Sequence, residues 1–363
     1  MRAAVCHAFG APLQIEEISI RPPGPGEVGV RLHACAICHS DLSFLHGIWG
    51  GTLPAVYGHE AAGVVETIGP GVHHVSPGDT VAVTLVRSCG RCALCLRGQP
   101  ALCEEWPGLP ISKESPLADA TGAAVHQGLR TGGFAEHALV DSSQVVGVPA
   151  DIPPDRACLL ACGVITGFGA IVNTARVEAG SSVGVIGTGG VGMNVVQGAV
   201  VAGATSIVAV DVVAEKLTAA PRFGATATVD ARREDVPAAV DRLTRGKGLD
   251  YVFVTAGVTA AVEQGLDLLR RGGALVLIGM PPTGATASLD VERIADQGLR
   301  ILGSKMGSTR PQLDIPYLVD LYRQGRLLLD ELISERYPLA EINAAVAAAE
   351  QGEALRPVVL LDR

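Results

Sequence analysis

The sequence predicts an α/β protein in which a β-rich domain is interrupted by a doubly wound parallel sheet. The first part of the chain contains short apolar runs broken by Pro and Gly, as at residues 22–26 and 77–79. From residue 182 onward, near-continuous apolar runs alternate with helical patterns, which is typical of a parallel sheet with helices on both faces. The C-terminal segment indicates a return of the chain to the first domain.

In the β-rich part, Pro-Gly turns separate the predicted strands, which favours a barrel-like or sandwich domain. The predicted strands are residues 28–32, 63–68, 80–85 and 134–140. A cysteine-dense loop is expected between residues 89 and 133.

The α/β part predicts alternating strands and helices. The strands are residues 182–187, 206–211, 250–255 and 274–279, and the helices are residues 190–202, 214–223 and 259–271. Pro221 lies late in the second of these helices and should kink it or end it early, because proline removes a backbone hydrogen bond. The C-terminal segment predicts helices at residues 315–324 and 339–350 and a last strand at residues 358–361.

Composition limits the classes of function. A chain of 363 residues fits about two domains of roughly 100–200 residues each, and 48% hydrophobic with 18% charged residues indicates a globular protein. The net charge of −9 and the lack of a basic run argue against a nucleic-acid partner. With no secretory signal and no unbroken apolar stretch of about 18 residues, we expect a cytoplasmic protein without a membrane partner.

Nine cysteines in such a chain need an explanation. An odd count without a signal peptide argues against a disulfide framework. Clustered cysteines in a cytoplasmic enzyme more often bind metal or take part in catalysis.

The segment from Gly187 to Gly192 fits the pattern G-x-G-x-x-G, follows a predicted strand and opens a predicted helix. Gly187 permits a tight turn, Gly189 lets the backbone approach a pyrophosphate, and Gly192 lets the helix pack on the strand. Free N–H groups at the helix N-terminus then face the phosphates. The alternative is a glycine-rich turn without a ligand.

Asp211 ends the second predicted strand, 19 residues after Gly192. An acidic residue there accepts hydrogen bonds from the adenosine ribose hydroxyls and would repel a 2′-phosphate. Val212 follows, rather than an arginine that could bind this phosphate. The sequence therefore predicts NAD rather than NADP.

Four cysteines, Cys89, Cys92, Cys95 and Cys103, lie within fifteen residues. A loop can fold them around one ion, and four thiolates at tetrahedral positions leave no open coordination site, which predicts a structural zinc. The alternative, four free cysteines in a loop, would expose clustered thiols to oxidation.

Cys38, His59 and Cys162 are dispersed along the chain. Two Cys and one His ligand with a water in the fourth position form a catalytic zinc arrangement. Sequence spacing does not join these three residues, and singly each is typical of a buried small residue or a core histidine.

The ordered motifs together resemble the zinc-dependent alcohol dehydrogenases of the medium-chain dehydrogenase/reductase family over the whole chain. The motifs are Cys-x-Ser-Asp from residue 38, Gly-His-Glu-x-x-Gly from residue 58, Cys-x2-Cys-x2-Cys-x7-Cys from residue 89, Cys-Gly-x2-Thr-Gly from residue 162 and Gly-x-Gly-Gly-x-Gly from residue 187. The resemblance is nearest to the liver-type and bacterial class III-like branch, which includes glutathione-dependent formaldehyde dehydrogenases.

The resemblance implies a GroES-like catalytic domain at residues 1–163 and 306–363, with a structural-zinc lobe at about residues 88–104. It implies a Rossmann NAD-binding domain at residues 164–305 and a substrate cleft. It also implies NAD and two zinc ions per subunit, and a homodimer or homotetramer.

Residue roles also follow from the resemblance. Cys38, His59 and Cys162 would hold the catalytic zinc, which acts as a Lewis acid, with Glu60 as a transient ligand. Asp41 would orient His59, and Ser40 would bind the substrate hydroxyl and pass its proton outward while hydride moves to the nicotinamide. The coenzyme contacts would come from His39, Thr166, Gly187, Gly189, Gly190, Val191, Gly192, Asp211, Lys216 and Arg356: His39 and Arg356 at the pyrophosphate, Thr166 and Val191 at the nicotinamide, and Lys216 near the adenosine ribose.

Two positions depart from the liver-type pattern. Ser43 stands where those enzymes have the histidine that ends the proton relay, and His46 is near but not at the matching position. We therefore expect weaker general-base assistance, with the relay ending in water or another group. Trp49 stands in the substrate pocket where the glutathione-dependent enzymes have an acidic residue, which disfavours a charged thiol adduct, although Trp49 could instead only pack a loop.

The predicted activity is reversible oxidation of a primary alcohol, aromatic or hydrophobic, or of a secondary alcohol, to an aldehyde or ketone. Two alternatives within the family are a dehydrogenase that retains its NAD and a thiol-adduct formaldehyde dehydrogenase. A zinc-stabilised nucleotide-binding redox sensor is a non-enzymatic alternative, but a pure binder needs no open metal site. The same zinc ligands exclude a zinc-free quinone reductase.

Overall fold

The computed structural model describes residues 1–105, 115–352 and 354–361. The chain forms two compact units, Met1–Gly163 with Arg310–Arg363, and Val164–Thr309. Residues 106–114 of the predicted cysteine-dense loop lie outside the described residues.

The strands are β1 (Arg2–Cys6), β2 (Gln14–Glu17), β3 (Ser19–Ile20), β4 (Glu27–Ala36), β5 (Ala55–Val56), β6 (Glu60–Ile68), β7 (Thr80–Val83), β8 (Leu117–Ala118), β9 (Ala124–Gln127), β10 (His137–Asp141), β11 (Val145–Gly147), β12 (Ser182–Ile186), β13 (Ser206–Asp211), β14 (Ala227–Asp230), β15 (Leu249–Val254), β16 (Leu269–Leu277), β17 (Arg300–Gly303), β18 (Ile333–Pro338) and β19 (Arg356–Leu360).

The α-helices are α1 (His39–Leu45), α2 (Ala93–Leu96), α3 (Pro154–Ala157), α4 (Gly163–Gly169), α5 (Gly190–Val201), α6 (Ala214–Ala219), α7 (Val236–Thr244), α8 (Thr259–Asp267), α9 (Val291–Asp296), α10 (Pro311–Arg323) and α11 (Ile342–Gln351). A π-helical turn, Ala170–Ala175, extends α4. Short 3₁₀ turns are Pro100–Leu102, Gly128–Arg130, Ser142–Gln144, Cys158–Ala161, Ala220–Phe223, Lys305–Ser308, Asp330–Leu332 and Leu339–Glu341.

The unit Val164–Thr309 contains a parallel sheet with the strand order β14-β13-β12-β15-β16-β17. The order runs outward from β12 in both directions, as in doubly wound dinucleotide-binding sheets, and the strand order reverses between β12 and β15. The predicted Rossmann-type parallel sheet is therefore confirmed. Loops that follow these two strands lie at the switch point, where such sheets bind ligands.

Of two predicted helix ends, the structure confirms one and contradicts the other. Helix α6 ends at Ala219 and gives way to a 3₁₀ turn that contains Pro221, as predicted. The prediction of one helix over residues 259–271 was wrong at its end, because α8 stops at Asp267 and Leu269 already pairs with Leu249 of β15.

The unit Met1–Gly163 with Arg310–Arg363 contains two largely antiparallel sheets. Their strand orders are β2-β1-β5-β9-β8-β3 and β11-β7-β6-β4-β19-β18, with β10 also paired to β4. Fully buried side chains such as Leu32, Tyr57 and Phe134 form part of its core. Strand β4 is flanked by β6 and β19, so residues at its C-terminal end meet residues from both neighbours.

No single helix in the described ranges is both long and apolar enough to cross a bilayer. The bent pair Pro154–Ala161 and Gly163–Ala175 meets that test of length and composition when the two are taken together.

Candidate active site and metal centres

Strand register brings the dispersed metal-ligand candidates together. In the antiparallel β4–β6 pair, Ala36 lies opposite Glu60, so Cys38, just beyond β4, approaches His59, just before β6. The 3₁₀ turn Cys158–Ala161 ends directly before Cys162. The sequence separates these three residues widely, and the sheet joins them.

Cys38, His59, Glu60 and Cys162 form one buried cluster. One ligand atom from each lies within 4.8 Å of those of the other three. His59 and Glu60 are fully buried, and the two cysteines are each 5% exposed. The structure thus brings together the three predicted zinc ligands and the predicted transient ligand.

Asp41, which is also fully buried, fixes the orientation of His59. Its Oδ1 lies 3.0 Å from His59 Nδ1 and accepts the backbone N–H of Gly58, while its Oδ2 accepts the backbone N–H of Cys38. Because an ionised carboxylate only accepts hydrogen bonds, Nδ1 of His59 is the donor. In the neutral imidazole the lone pair is therefore on Nε2, and this atom is buried without a hydrogen-bond partner.

The ligand side chains perturb one another's ionisation. A hydrogen bond with Cys162 lowers the pKa of the Cys38 thiol well below its usual value, and the positive charges of Arg356 and His59 add to this effect. The same hydrogen bond, together with burial, raises the pKa of Cys162. Burial lowers the pKa of His59, but the negative charge of Asp41 and its hydrogen bond outweigh burial and raise it well above its usual value.

These observations fit a zinc ion. Two sulfur ligands and one imidazole nitrogen suit Zn²⁺, and a carboxylate that accepts a hydrogen bond from Nδ1 is the usual partner of a metal-binding histidine. A buried Nε2 without a partner is costly unless a ligand satisfies it. Three protein ligands leave a fourth position open to substrate, which is typical of catalytic zinc.

Arg356 and Glu60 form a buried ion pair beside the cluster. Arg356 Nη2 lies 3.3 Å from Glu60 Oε1, but the two groups are not aligned for a hydrogen bond, and neither oxygen of Glu60 has a hydrogen-bond partner in the described chain. Burial raises the pKa of Glu60 to about 8, and the charge of Arg356 opposes this rise. Arg356 also donates to the carbonyl of Ile37. The predicted pyrophosphate contact of Arg356 stays a prediction.

Helix α1 carries the residues predicted to act on substrate and coenzyme. His39 is exposed and Ser40 is half-buried in its first turn, directly after Cys38. Ser43 is buried one turn later. His46 lies at the C-terminal end of α1, and its Nε2 is 2.6 Å from the carboxylate of Glu350 on α11. Its imidazole is therefore bound to Glu350 and does not take the place of the relay histidine at position 43. The roles of His39 and Ser40 stay predictions.

Trp49 lies in an aromatic group with Phe44 and Tyr57. Its ring meets Phe44 edge to face at a centroid distance of 5.3 Å, and Phe44 stacks on Tyr57 at 5.7 Å. Trp49 is half-buried against the core. The sequence did not indicate the two partner rings, because nothing in their spacing distinguishes them from ordinary core residues.

The four clustered cysteines converge as predicted. Their sulfur atoms lie within 4.8 Å of one another. Backbone N–H groups point at these sulfurs: Cys92 N–H donates to Cys89 Sγ, Cys95 N–H to Cys92 Sγ, and Cys89 N–H to Cys103 Sγ, at 3.3–3.4 Å. Such donors favour thiolates, and hydrogen bonds from the backbone of Cys95 and of Glu104 lower the pKa of Cys92 to about 6. A closed set of four thiolates fits a structural zinc.

A bidentate ion pair that the sequence did not reveal lies beside this cluster. Arg91 donates to both carboxylate oxygens of Glu105, at 2.8 and 2.6 Å. It joins the Cys89–Cys92 turn to the segment after Cys103. No sequence signal marked this pair, since the two residues are 14 positions apart in a loop.

The glycine-rich turn after β12 has the geometry that its sequence predicts. Gly187 adopts a φ of +90°, which favours glycine. A Cβ on Gly192 would lie 1.9 Å from the carbonyl oxygen of Gly187, so helix α5 could not pack this closely with any side chain there. A Cβ on Gly189 would meet only Lys216 Nζ, at 4.0 Å, which leaves open space above the backbone. Gly190 begins helix α5.

The other predicted coenzyme residues of this unit lie around the same turn. A Cβ on Gly167, next to Thr166, would lie 2.3 Å from the carbonyl of Val191, so α4 and α5 touch through their backbones beside both predicted nicotinamide contacts. Thr166 is buried and its hydroxyl lies 3.7 Å from Met306 Sδ. The coenzyme roles of these residues and of Lys216 stay predictions.

Asp211, at the end of β13, is 8% exposed and accepts hydrogen bonds from the Thr188 side chain and from three backbone N–H groups. Thr188 is the middle residue of Gly187-Thr188-Gly189 and was not singled out in the sequence, where it occupies a variable position of the motif. Val212, which follows Asp211, is exposed.

Comparison with known proteins agrees with this site. Residues 24–150 match the family pattern "Alcohol dehydrogenase GroES-like domain" and residues 190–324 match "Zinc-binding dehydrogenase". The chain is 36% identical to "Probable S-(hydroxymethyl)glutathione dehydrogenase 1" of Schizosaccharomyces pombe, over 100% of this chain and 97% of that protein.

Two solved structures are similar over almost their whole length. An alcohol dehydrogenase zinc-binding domain protein from Burkholderia ambifaria has a TM-score of 0.95 at 38% identity, covering 100% of this chain and 99% of that one. Benzyl alcohol dehydrogenase from Acinetobacter calcoaceticus has a TM-score of 0.93 at 35% identity, covering 99% of each. The predicted GroES-like and Rossmann pairing is confirmed, and this chain, which carries both candidate zinc sites, belongs to the zinc-binding medium-chain alcohol dehydrogenase family of oxidoreductases.

Proposed function

We propose that the protein is a zinc-dependent, NAD-linked dehydrogenase that interconverts a primary alcohol, aromatic or hydrophobic, and its aldehyde. The observation that carries this proposal is the buried cluster of Cys38, His59 and Cys162, whose ligand atoms lie within 4.8 Å of one another, together with the unpartnered Nε2 of His59. A site with three protein ligands suits a metal that must also bind substrate.

In the proposed mechanism, Cys38, His59 and Cys162 hold the zinc, and Glu60 lies beside it as a transient ligand. When bound, zinc supplies a Lewis acid that polarises the alcohol or carbonyl oxygen. Asp41 keeps Nδ1 of His59 protonated and so keeps Nε2 free as a ligand. The burial of this cluster excludes bulk water from the ligands and strengthens each charge interaction in it.

Ser40 accepts the hydroxyl proton of the alcohol while its own hydroxyl proton passes outward. Ser43 cannot act as a general base at neutral pH, because a neutral hydroxyl group is a very weak base. His46 is held by Glu350. The proton therefore passes from Ser40 to water rather than to a histidine, which weakens general-base assistance compared with a relay that ends in imidazole.

The coenzyme binds to the unit Val164–Thr309. The turn from Gly187 to Gly192 cradles the pyrophosphate at the N-terminus of α5, and Asp211 binds the adenosine ribose and repels a 2′-phosphate. When bound, the nicotinamide ring of NAD accepts the hydride. The exposed Val212 beside Asp211 offers no cation to a 2′-phosphate, which supports NAD rather than NADP.

Trp49 supports an aromatic or hydrophobic substrate. Its ring is braced by Phe44, so it presents a rigid apolar surface rather than a flexible or charged one. A carboxylate at this position would suit a charged thiol adduct, and Trp49 does not. The similar structure from Acinetobacter calcoaceticus, named for benzyl alcohol, agrees with this preference.

The subunit is proposed to form a homodimer or homotetramer in the cytoplasm. Among the described strands, β17 is at one edge of its sheet, and Ile301 on this strand is exposed. An edge strand can pair with a second copy. Light scattering after gel filtration measures the subunit number.

The test is formation of the reduced coenzyme by the zinc-loaded protein, with NAD and with NADP in separate assays. The substrates are benzyl alcohol, ethanol, cyclohexanol and S-(hydroxymethyl)glutathione. We expect the highest kcat/KM with benzyl alcohol and NAD, and loss of turnover in Cys38→Ala. Preference for the glutathione adduct would overturn the substrate assignment. No turnover with any substrate, despite full zinc content, would overturn the enzyme assignment, and coenzyme retained through gel filtration would identify the form that keeps its NAD.

A further inference from the structure

The carboxylate of Asp211 accepts hydrogen bonds from the glycine-rich turn that follows β12. Asp211 Oδ2 accepts hydrogen bonds from the backbone N–H of Thr188, at 2.6 Å, and from the Thr188 hydroxyl, at 3.0 Å. Asp211 Oδ1 accepts from the backbone N–H groups of Val212 and Val213, at 2.7 and 3.0 Å. Thr188 is fully buried, so its hydroxyl is shielded from water.

Two threonines fix the glycine-rich turn from opposite sides. The Thr188 hydroxyl ties it to Asp211 at the end of β13. The Thr255 hydroxyl, just after β15, donates to the carbonyl of Gly187 at 2.5 Å. Only the Thr188 hydroxyl contacts the carboxylate of Asp211. Substitution of the two threonines one at a time can therefore distinguish an effect on the turn from an effect on Asp211.

Four donors bond to the carboxylate of Asp211 in the described chain, two at each oxygen. Three of the donors are backbone N–H groups whose directions are set by the strand end and the turn. The Thr188 hydroxyl is the one side-chain donor among them, and it bonds to the oxygen that does not face Val212 and Val213. Removal of this hydroxyl takes away one of the two donors at Oδ2 and so loosens the hold on the orientation of the carboxylate.

We infer that Thr188 is a positioning residue for coenzyme selection: its hydroxyl holds the Asp211 carboxylate in the orientation that accepts the adenosine ribose and rejects a 2′-phosphate. The inference deepens the proposed function and rests on its NAD-binding part. A carboxylate that cannot turn away keeps its charge where a 2′-phosphate would lie, and repulsion between like charges at short range opposes binding. A carboxylate free to rotate relieves that repulsion and also holds the ribose less well.

The test measures dissociation constants of NADH and NADPH by coenzyme fluorescence with the zinc-loaded protein and its variants. In Thr188→Val, which keeps the β-branched shape and the backbone donor, we expect NADH to bind about tenfold more weakly, as befits one hydrogen bond to a charged group. NADPH should bind as in the unchanged protein or more tightly, so the ratio of the two constants should fall by about tenfold or more. Thr188→Ser, which restores a hydroxyl, should restore the ratio.

Thr255→Val is the matched control. It removes one half-buried threonine hydroxyl that bonds to the same turn, without touching Asp211. If it weakens NADH and NADPH equally while Thr188→Val changes their ratio, the hydroxyl of Thr188 acts on the carboxylate and not only on the turn. Equal changes of the ratio in both valine variants would overturn the inference.

A second comparison uses Asp211→Ala as the background. In that background Thr188→Val should leave the ratio unchanged, because there is no carboxylate to position. A ratio that still falls would show that Thr188 acts by another route and overturn the inference. If the unchanged protein binds neither coenzyme, or prefers NADPH, the NAD-binding part of the proposed function fails. If it prefers NADH and Thr188→Val keeps that preference, only the present inference fails.

Discussion

Asp41 Oδ1 and His59 Nδ1 lie 3.0 Å apart in a region where both side chains are fully buried. The same carboxylate also binds the backbone of Cys38 and of Gly58. One side chain therefore sets the direction of an imidazole ligand and fixes the two loop segments that carry the ligands. The metal geometry depends on a residue that does not itself bind the metal.

Asp41→Asn should weaken zinc binding at the cluster by about 10- to 100-fold, the usual effect of removing a carboxylate partner of a metal-bound histidine. Competition with a chromogenic chelator measures the affinity, and kcat should fall in proportion to zinc occupancy. Asp119→Asn is the control, because Asp119 also accepts backbone N–H groups in a loop but lies in an exposed turn. Unaltered zinc affinity in Asp41→Asn would contradict the orienting role.

Cys103→Ser should lower the zinc content from two ions to one per chain and reduce thermal stability, because a structural zinc contributes directly to folding. The remaining zinc should still support turnover at temperatures below unfolding. Elemental analysis and a thermal melt measure the two effects. Cys6→Ser is the control, since Cys6 is buried but lies outside both cysteine clusters. Two zinc ions in Cys103→Ser would refute the four-cysteine site.

Gly192→Ala and Gly189→Ala should separate packing from coenzyme approach. A Cβ on Gly192 would collide with the Gly187 carbonyl oxygen, so this variant should lose about 2 kcal/mol of unfolding free energy through overpacking and bind NADH poorly. A Cβ on Gly189 meets open space, so that variant should keep its stability and lose NADH affinity alone. Urea denaturation and NADH titration test both. Normal NADH affinity in Gly189→Ala would argue against pyrophosphate binding at this turn.

Ser43→His should raise kcat near neutral pH by about tenfold, less than the full contribution of a well-placed general base, because it supplies the imidazole that the relay lacks and an ordinary imidazole is largely unprotonated there. The measurement is the pH profile of alcohol oxidation. His46→Gln should leave that profile unchanged, since His46 is bound to Glu350. If Ser43→His leaves the rate near neutral pH as it was, the missing relay base is not a limitation.

Trp49→Ala should lower kcat/KM for benzyl alcohol by about tenfold, within the range for one apolar pocket contact, and should shift preference toward bulkier alcohols. Phe9→Ala is the control, because Phe9 packs against Gly47 in the same loop without belonging to the predicted pocket. Equal effects of both variants on benzyl alcohol would mean that Trp49 only packs the loop.

The sequence was sufficient for features whose cause is local. The glycine turn, the end of α6 shortly before Pro221 and the four-cysteine cluster each depend on residues close together in the chain, so their patterns can be interpreted directly. The catalytic cluster is different, because Cys38, His59 and Cys162 meet only through the pairing of β4 with β6 and the turn before Cys162. Only the resemblance to a family could join them in advance.

Two features could not be predicted from the sequence because they depend on contacts between distant parts of the chain. Thr188 donates a hydrogen bond to Asp211, which lies 23 residues later at the end of the neighbouring strand. The motif pattern treats the position of Thr188 as variable. The end of α8 at Asp267 was missed because the helical sequence pattern continues to residue 271. In the structure, Leu269 instead pairs with Leu249 of β15. Tertiary contacts decided both cases over local preference.

The register of β4 against β6 has a consequence for the order in which the protein acquires its metals. Cys38 and Cys162 are 124 residues apart, and a strand that slips by one residue turns every side chain to the opposite face. The catalytic ligands can converge only after the sheet has paired correctly, whereas the four clustered cysteines lie within fifteen residues and can capture an ion from a nascent chain. Zinc should therefore enter the cysteine lobe early in biosynthesis and the catalytic cluster late, so that occupancy of the second site reports a completed fold.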